Sequence, residues 1–151
     1  MKILCDTRDK IDAVRGILNY FDRHGIEWER RALKTGDYML EGQDNLVIDR
    51  KGGLGELCVN LCSADVSRFY REIRRAHDDG VRLVILCEQY GVKTFRDIAG
   101  WKNPYGKVTG RMLQEKVYQL EMAYRVPVLF CDKRSTGRRI VEILTGQGEN
   151  A

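Results

Sequence analysis

Residues 81–87, Val-Arg-Leu-Val-Ile-Leu-Cys, form an apolar run that only Arg82 interrupts. A strand with one wet face alternates apolar and polar side chains, whereas an unbroken run belongs to a strand covered on both faces. The run is far too short for a membrane span, which takes roughly 20 apolar residues, and nothing else in the chain approaches that length. The amino terminus, Met1-Lys2-Ile3-Leu4-Cys5-Asp6, meets an acid too early for a secretory signal.

The flanking segments have the period of helices that could supply the cover. Val66, Phe69, Ile73 and Ala76 share one face upstream, with Ser63 or Asp65 as cap and Asp78-Asp79-Gly80 as stop. Leu113, Val117, Leu120 and Tyr124 form a stripe downstream. Further out, Lys2–Thr7 reads as a buried strand. A helix follows from Asp9 to Tyr20, with Phe21 continuing its face and His24-Gly25 ending it. Trp28–Leu40 reads as one strand, Glu41–Asn45 as a polar turn, and Leu46–Lys51 as the second arm of a hairpin. Gly52, Gly53 and Gly55 precede a short helix over Glu56–Cys62. Residues 91–110 are irregular. Pro127 opens a last strand, Val128–Cys131, and Ser135 or Thr136 caps a final helix through Leu144.

The order β-α-β-β-α-α-β-α-β-α predicts an α/β fold with a central mixed β-sheet flanked by helices. With 151 residues, a single domain over 1–145 and a flexible tail at 146–151 are expected. Hydrophobic residues at 43% and only 2 prolines exclude a disordered or collagen-like chain. The five cysteines read as free thiols, and His24 and His77 are not spaced to complete a zinc site.

One stretch carries chemistry. Gly36-Asp37-Tyr38 is followed, on the other arm of the hairpin, by Asp49-Arg50-Lys51. Side chains at i and i+2 on a strand share a face. Asp49 and Lys51 therefore point one way and Arg50 the other, and the hairpin can bring Asp37 beside Asp49. Two carboxylates converging near a lysine are what Mg²⁺-assisted phosphodiester hydrolysis requires: hard oxygen ligands for the metal and a cation to act on the attacking water. A surface ion pair is the bland alternative.

Charge divides along the chain. Residues 1–90 hold 15 basic and 16 acidic residues, a net of −1, and residues 91–151 hold 11 and 6, a net of +5. Lys93, Arg96, Lys102, Lys107 and Arg111 are interleaved with Phe95, Trp101 and Tyr105. Such a segment suits a nucleic-acid clamp, with cations on phosphates and rings on unpaired bases, or else a loop whose Trp101 packs into the core. Lys133-Arg134 before the final helix is a second candidate phosphate site.

These residues resemble the nuclease domain of the XPF-type structure-specific endonucleases, within the restriction-endonuclease-like superfamily. The family signature is Gly-Asp, a spacer, then Glu-Arg-Lys, three residues and Asp. The chain has Gly36-Asp37, then Asp49-Arg50-Lys51, then Glu56, and also the similar Asp6-Thr7-Arg8-Asp9 and Ser67-Arg68-Phe69. Asp49 stands where the family usually has Glu, and four residues rather than three precede Glu56. The resemblance implies Asp37 and Asp49 as primary ligands of Mg²⁺ or Mn²⁺, with Glu56 and Asp6 as secondary acids. It implies catalytic roles for Lys51 on the attacking water and for Arg50 in support of the site or the phosphate. Arg68, with Lys102, Lys107, Arg111, Lys133 and Arg134, would contact DNA. It further implies cleavage of branched or flapped DNA in repair or recombination, at a cytoplasmic, nucleoid-associated location. Larger relatives append a helix-hairpin-helix domain for which this length leaves no room, so the expectation is either that the nuclease grips DNA unaided or that it works as a homodimer or with a partner protein. The alternatives are a Holliday-junction resolvase and an inactive nuclease fold that binds DNA or protein. A phosphate-binding regulatory domain using Asp6 is the third.

Overall fold

A computed structural model of the chain describes residues 1–147. Six strands form one mixed sheet in the order β2-β1-β3-β4-β5-β6: β1 Lys2–Cys5, β2 Glu27–Arg30, β3 Tyr38–Leu40, β4 Gln43–Lys51, β5 Arg82–Glu88 and β6 Val128–Cys131. β1 pairs parallel with β2 and antiparallel with β3. β3 and β4 form an antiparallel hairpin, and β4, β5 and β6 run parallel. The helices are α1 Ile11–Arg23, α2 Leu54–Cys62, α3 Val66–Asp78, α4 Gly110–Tyr124 and α5 Thr136–Leu144. Among the described residues no helix is long and apolar enough to cross a membrane. The expected tail at 146–151 falls, over residues 148–151, outside the described residues.

The apolar run of β5 is buried on both faces, as its composition demands. Leu83, Ile85 and Cys87 join a core with residues of α2, α3 and α4, whereas Val84 and Leu86 join a second core with residues of α1 and α5. β4 follows the same parity: Val47 belongs to the first core and Ile48 to the second. All five cysteines are free thiols.

Three local expectations are corrected. The segment 28–40 is not one strand. Glu27–Arg30 pairs parallel with β1, the chain leaves the sheet over residues 31–37, and only Tyr38–Leu40 enters the hairpin. The irregular 91–110 segment contains a short 3-10 helix, Phe95–Gly100, closed by a capping box in which Thr94 and Asp97 bond reciprocally. The turn before α5 is capped by Asp132, whose Oδ1 accepts from Arg134 N–H and Ser135 N–H, and not by the side chain of Ser135.

Candidate active site

Parallel β4, β5 and β6 end in register, Lys51 beside Cys87 and Glu88 beside Cys131. Ligands of open α/β sheets gather at such carboxyl ends. Asp37 reaches this end from the antiparallel neighbour: its N–H donates to Ile48 O at 2.7 Å, and its carbonyl accepts from Asp6 N–H at 2.8 Å. Gly36 makes this approach possible. Its φ is +72°, and a Cβ there would stand 2.1 Å from Val47 Cγ1 and 3.1 Å from Ile48 O, so any side chain would push Asp37 off β4.

Asp37, Asp49 and Lys51 line a cleft of about 400 Å³, together with Glu56 from α2 and Arg68 and Phe69 from α3. Lys51 is buried and its Nζ lies 3.2 Å from Asp49 Oδ2 and 5.5 Å from the centroid of the Phe69 ring. The apolar wall holds the ammonium in place and leaves Asp49 as its anionic partner. Asp37 Oδ2 accepts Arg50 N–H at 2.7 Å, and its carboxyl is hydrogen-bonded to that of Asp49. Burial, and then the Asp49 charge, push the Asp37 pKa up to about 8. A neighbouring like charge disfavours ionisation of the second carboxyl. Burial and the neighbouring Asp49 charge thus favour the protonated form of Asp37.

That donor set fits a hard divalent cation, which binds carboxylate oxygens and would take the place of the proton on Asp37. Among the described residues no three His, Cys, Asp or Glu side chains gather to hold a metal on their own. The two further acids have other partners. Glu56 is exposed at the start of α2, and its Oε2 accepts Gly52 N–H at 2.7 Å. Asp6 is buried: Oδ1 accepts Leu33 N–H at 2.8 Å, and Oδ2 accepts Arg8 N–H and Arg8 Nε–H at 3.1 and 2.6 Å. Burial works against its ionisation, but the donors from Leu33 and Arg8 outweigh it and hold the carboxyl below its ordinary pKa. Arg8 also donates to Gly36 O at 3.2 Å, so Asp6 fastens the loop that presents Asp37.

Arg50 points to the opposite face. Its Nη1 donates to Glu88 Oε1 at 3.0 Å, with the two side chains 11% and 8% exposed. Glu88 also accepts the hydroxyl of Thr136, a fully buried residue at the start of α5. Sequence reasoning missed Glu88 and Thr136; neither carries a local signal, because the pairing spans 38 and 48 residues.

The cationic candidates are dispersed. Arg68 stands at the mouth of the acid cleft, 75% exposed and 3.5 Å from Glu72. Lys133 and Arg134 are exposed on the turn that follows β6, at the same end of the sheet. Lys102 lines a second cleft, and Lys107 and Arg111 are exposed around the start of α4. Of the interleaved rings, Phe95 packs on the core and lies 6.3 Å from the Tyr118 ring, whereas Tyr105 is 81% exposed.

The ERCC4 domain model matches residues 6–143, nearly the whole chain. The chain belongs to the ERCC4 domain family. This is the XPF-type nuclease domain, and its restriction-endonuclease-like fold is the one described above. The fold is shared with the solved structure of XPF from Aeropyrum pernix, at a TM-score of 0.71 and 17% identity, covering 99% of this chain and 66% of that one. It is likewise shared with XPF from Aeropyrum pernix in complex with DNA, at 0.68 and 15%, with the same coverage. This ERCC4 domain thus spans just under two thirds of the length of those chains. No curated protein sequence matches it.

Proposed function

We propose that this ERCC4 domain is a divalent-metal-dependent DNA endonuclease that hydrolyses phosphodiester bonds in branched or flapped DNA. One observation carries the reading: two carboxylates, Asp37 and Asp49, converge in one cleft beside the buried Lys51 at the carboxyl ends of the strands. An unresolved acid pair is costly unless a cation or a proton is part of its function. Asp37 and Asp49 would hold Mg²⁺ or Mn²⁺, which when bound supplies Lewis acidity toward a phosphate and its attacking water. Lys51, fixed by Asp49 and Phe69, orients that water or neutralises charge developing on the phosphate. Arg50 supports the site from behind: its backbone N–H holds Asp37 while its guanidinium is kept by Glu88. Asp6 supports it through Arg8 and the Gly36 turn. Glu56 sits where it can accept a hydrogen bond from a water in the cleft.

Arg68 at the acid cleft, with Lys102, Lys107, Arg111, Lys133 and Arg134 elsewhere on the surface, would contact the DNA backbone. A second copy of the domain or a partner protein would extend that grip. The solved complex of Aeropyrum pernix XPF with DNA supports DNA as the polymer.

The test incubates the protein with labelled flap, splayed-arm, four-way and linear DNA in Mg²⁺, Mn²⁺ or EDTA, with Lys51→Ala alongside. Cleavage confined to branched substrates, dependent on the cation and reduced at least about a hundredfold in Lys51→Ala, is expected. Preference for four-way DNA would make it a junction resolvase. Binding without cleavage under every condition would leave a DNA-binding module.

A further inference from the structure

A second cleft, of about 710 Å³, adjoins the acid cleft and shares Glu56 as a wall. Its sides are Trp101, Pro104 and Tyr105, its floor is Gly52, Gly53 and Gly55, and Lys102 is on its rim. The volume is in the range of small-molecule sites, roughly 300–1,000 Å³. The fit between the two sides is close. A Cβ on Gly55 would stand 2.6 Å from Tyr105 Cε2 and 2.9 Å from Cδ2, so the ring lies directly over the bare backbone. Asn103 holds the ring's loop in shape: its Oδ1 accepts Tyr105 N–H at 2.8 Å, and its Nδ2 donates to Val108 O at 3.0 Å. Trp101 rests partly on the core and partly in the cleft. Tyr105 is largely exposed and Trp101 partly so, and ordering them for a ligand costs little because the loop is already braced.

We propose that this cleft takes an unpaired nucleobase of the DNA strand whose backbone passes Asp37 and Asp49. Three observations favour a base over another flat group. The cleft shares a wall with the acid pair, as successive nucleotides of one strand would require. Lys102 offers a cation for the accompanying phosphate. The apolar flats of Trp101, Pro104 and Tyr105 accept any base by stacking, which suits selection of branch structure over sequence. The single acid on the wall, Glu56, is turned to Gly52 N–H. The base pocket deepens the nuclease proposal and rests on it for the identity of the polymer. It would let the domain recognise the unpaired stretch at a branch, because a base within a duplex cannot enter.

The experiment places 2-aminopurine at successive positions of a flap and reads its fluorescence and the flap affinity in EDTA, so that cleavage plays no part. Quenching at one position near the branch is expected. Tyr105→Ala should abolish that quenching and weaken flap binding about tenfold while leaving blunt-duplex binding unchanged. Tyr105→Phe should restore both, because stacking needs the ring and not the hydroxyl. An abasic residue at the sensitive position should weaken the wild-type protein by a similar factor and Tyr105→Ala no further. The exposure of Tyr105 makes its loss tolerable to the fold, and Trp101→Phe checks the second wall with a smaller ring. Normal flap affinity in Tyr105→Ala, an equal loss for flap and duplex, or no quenching at any position would overturn the pocket. Quenching without cleavage in Mg²⁺ would remove the nuclease reading and keep the pocket; cleavage without quenching would do the reverse.

Discussion

Asp49, Arg50 and Lys51 follow one another on β4, and the pleat sends them to opposite faces of the sheet. Behind the sheet the Arg50 guanidinium meets Glu88, and Glu88 meets the Thr136 hydroxyl: one cation and one anion, both largely shielded, and a fully buried neutral donor. In front, two carboxylates stand with one ammonium, which pairs with Asp49, while burial and the Asp49 charge push the Asp37 pKa up. The rear set balances one cation against one anion within the protein, although Arg50 Nε is buried without a hydrogen-bond partner. The front set lacks a positive charge, and that deficit, more than the mere presence of acids, separates a working site from a structural ion pair. Removing a carboxylate should therefore have opposite effects on the two faces.

Glu88→Ala should produce the largest change in stability. It strands a buried guanidinium, and breaking such a pair costs about 3–5 kcal/mol, read as a lower urea midpoint. Glu88→Gln, which keeps an acceptor for Thr136, should cost less. A loss below about 1 kcal/mol for Glu88→Ala would mean that Arg50 finds water or another partner, and the contrast between the faces would collapse.

Asp37→Asn should act in the other direction. The folded pKa of about 8 lies above the ordinary 3.8, so between these values the native protein holds a proton that the unfolded chain has released. Stability in EDTA must then fall as pH rises from about 4 to about 8. Asp37→Asn removes that slope and should be the more stable protein at pH 8, by roughly 2–4 kcal/mol. Added Mg²⁺ should recover stability in the wild type and not in the variant. A wild-type curve flat across this window would show that the two acids do not meet in solution.

The smallest effect is expected at Arg68. Its ion pair with Glu72 is solvent-exposed, so Arg68→Ala should change stability by no more than about 0.5 kcal/mol. Its DNA affinity should fall, and the slope of log affinity against log salt should drop by about 1. An unchanged slope would assign Arg68 to the helix surface alone.

The front site was largely legible because strand parity is a local rule. Once Leu46–Lys51 reads as a strand, Asp49 and Lys51 share a face and Arg50 does not. The hairpin register then sets Asp37 beside Asp49, with Gly36 as the residue that permits it. The rear site was not legible, because Glu88 looks like the polar end of an apolar strand and nothing near Arg50 names it. The fate of Asp6 was equally hidden, since one of its donors, Leu33, lies on a loop that reads as strand. That loop was missed because 28–40 carries loose alternation throughout and no turn residue before Gly36, while the partner of β2 lies back at residues 2–5. At the cleft beside the site, aromatic and basic interleaving was visible in 101–105. The contact that shapes the cleft, Tyr105 over Gly55, joins residues too distant in sequence for any periodicity to pair.

The central claim is that the charge deficit at Asp37 and Asp49 exists for a cation that acts on DNA. The most direct measurement is flap-DNA cleavage in Mg²⁺ and Mn²⁺ by Asp37→Asn, with its folding verified in the same buffer. The account predicts a folded, more stable protein whose cleavage is reduced at least about a hundredfold. A folded Asp37→Asn protein that cleaves as the wild type does would contradict it.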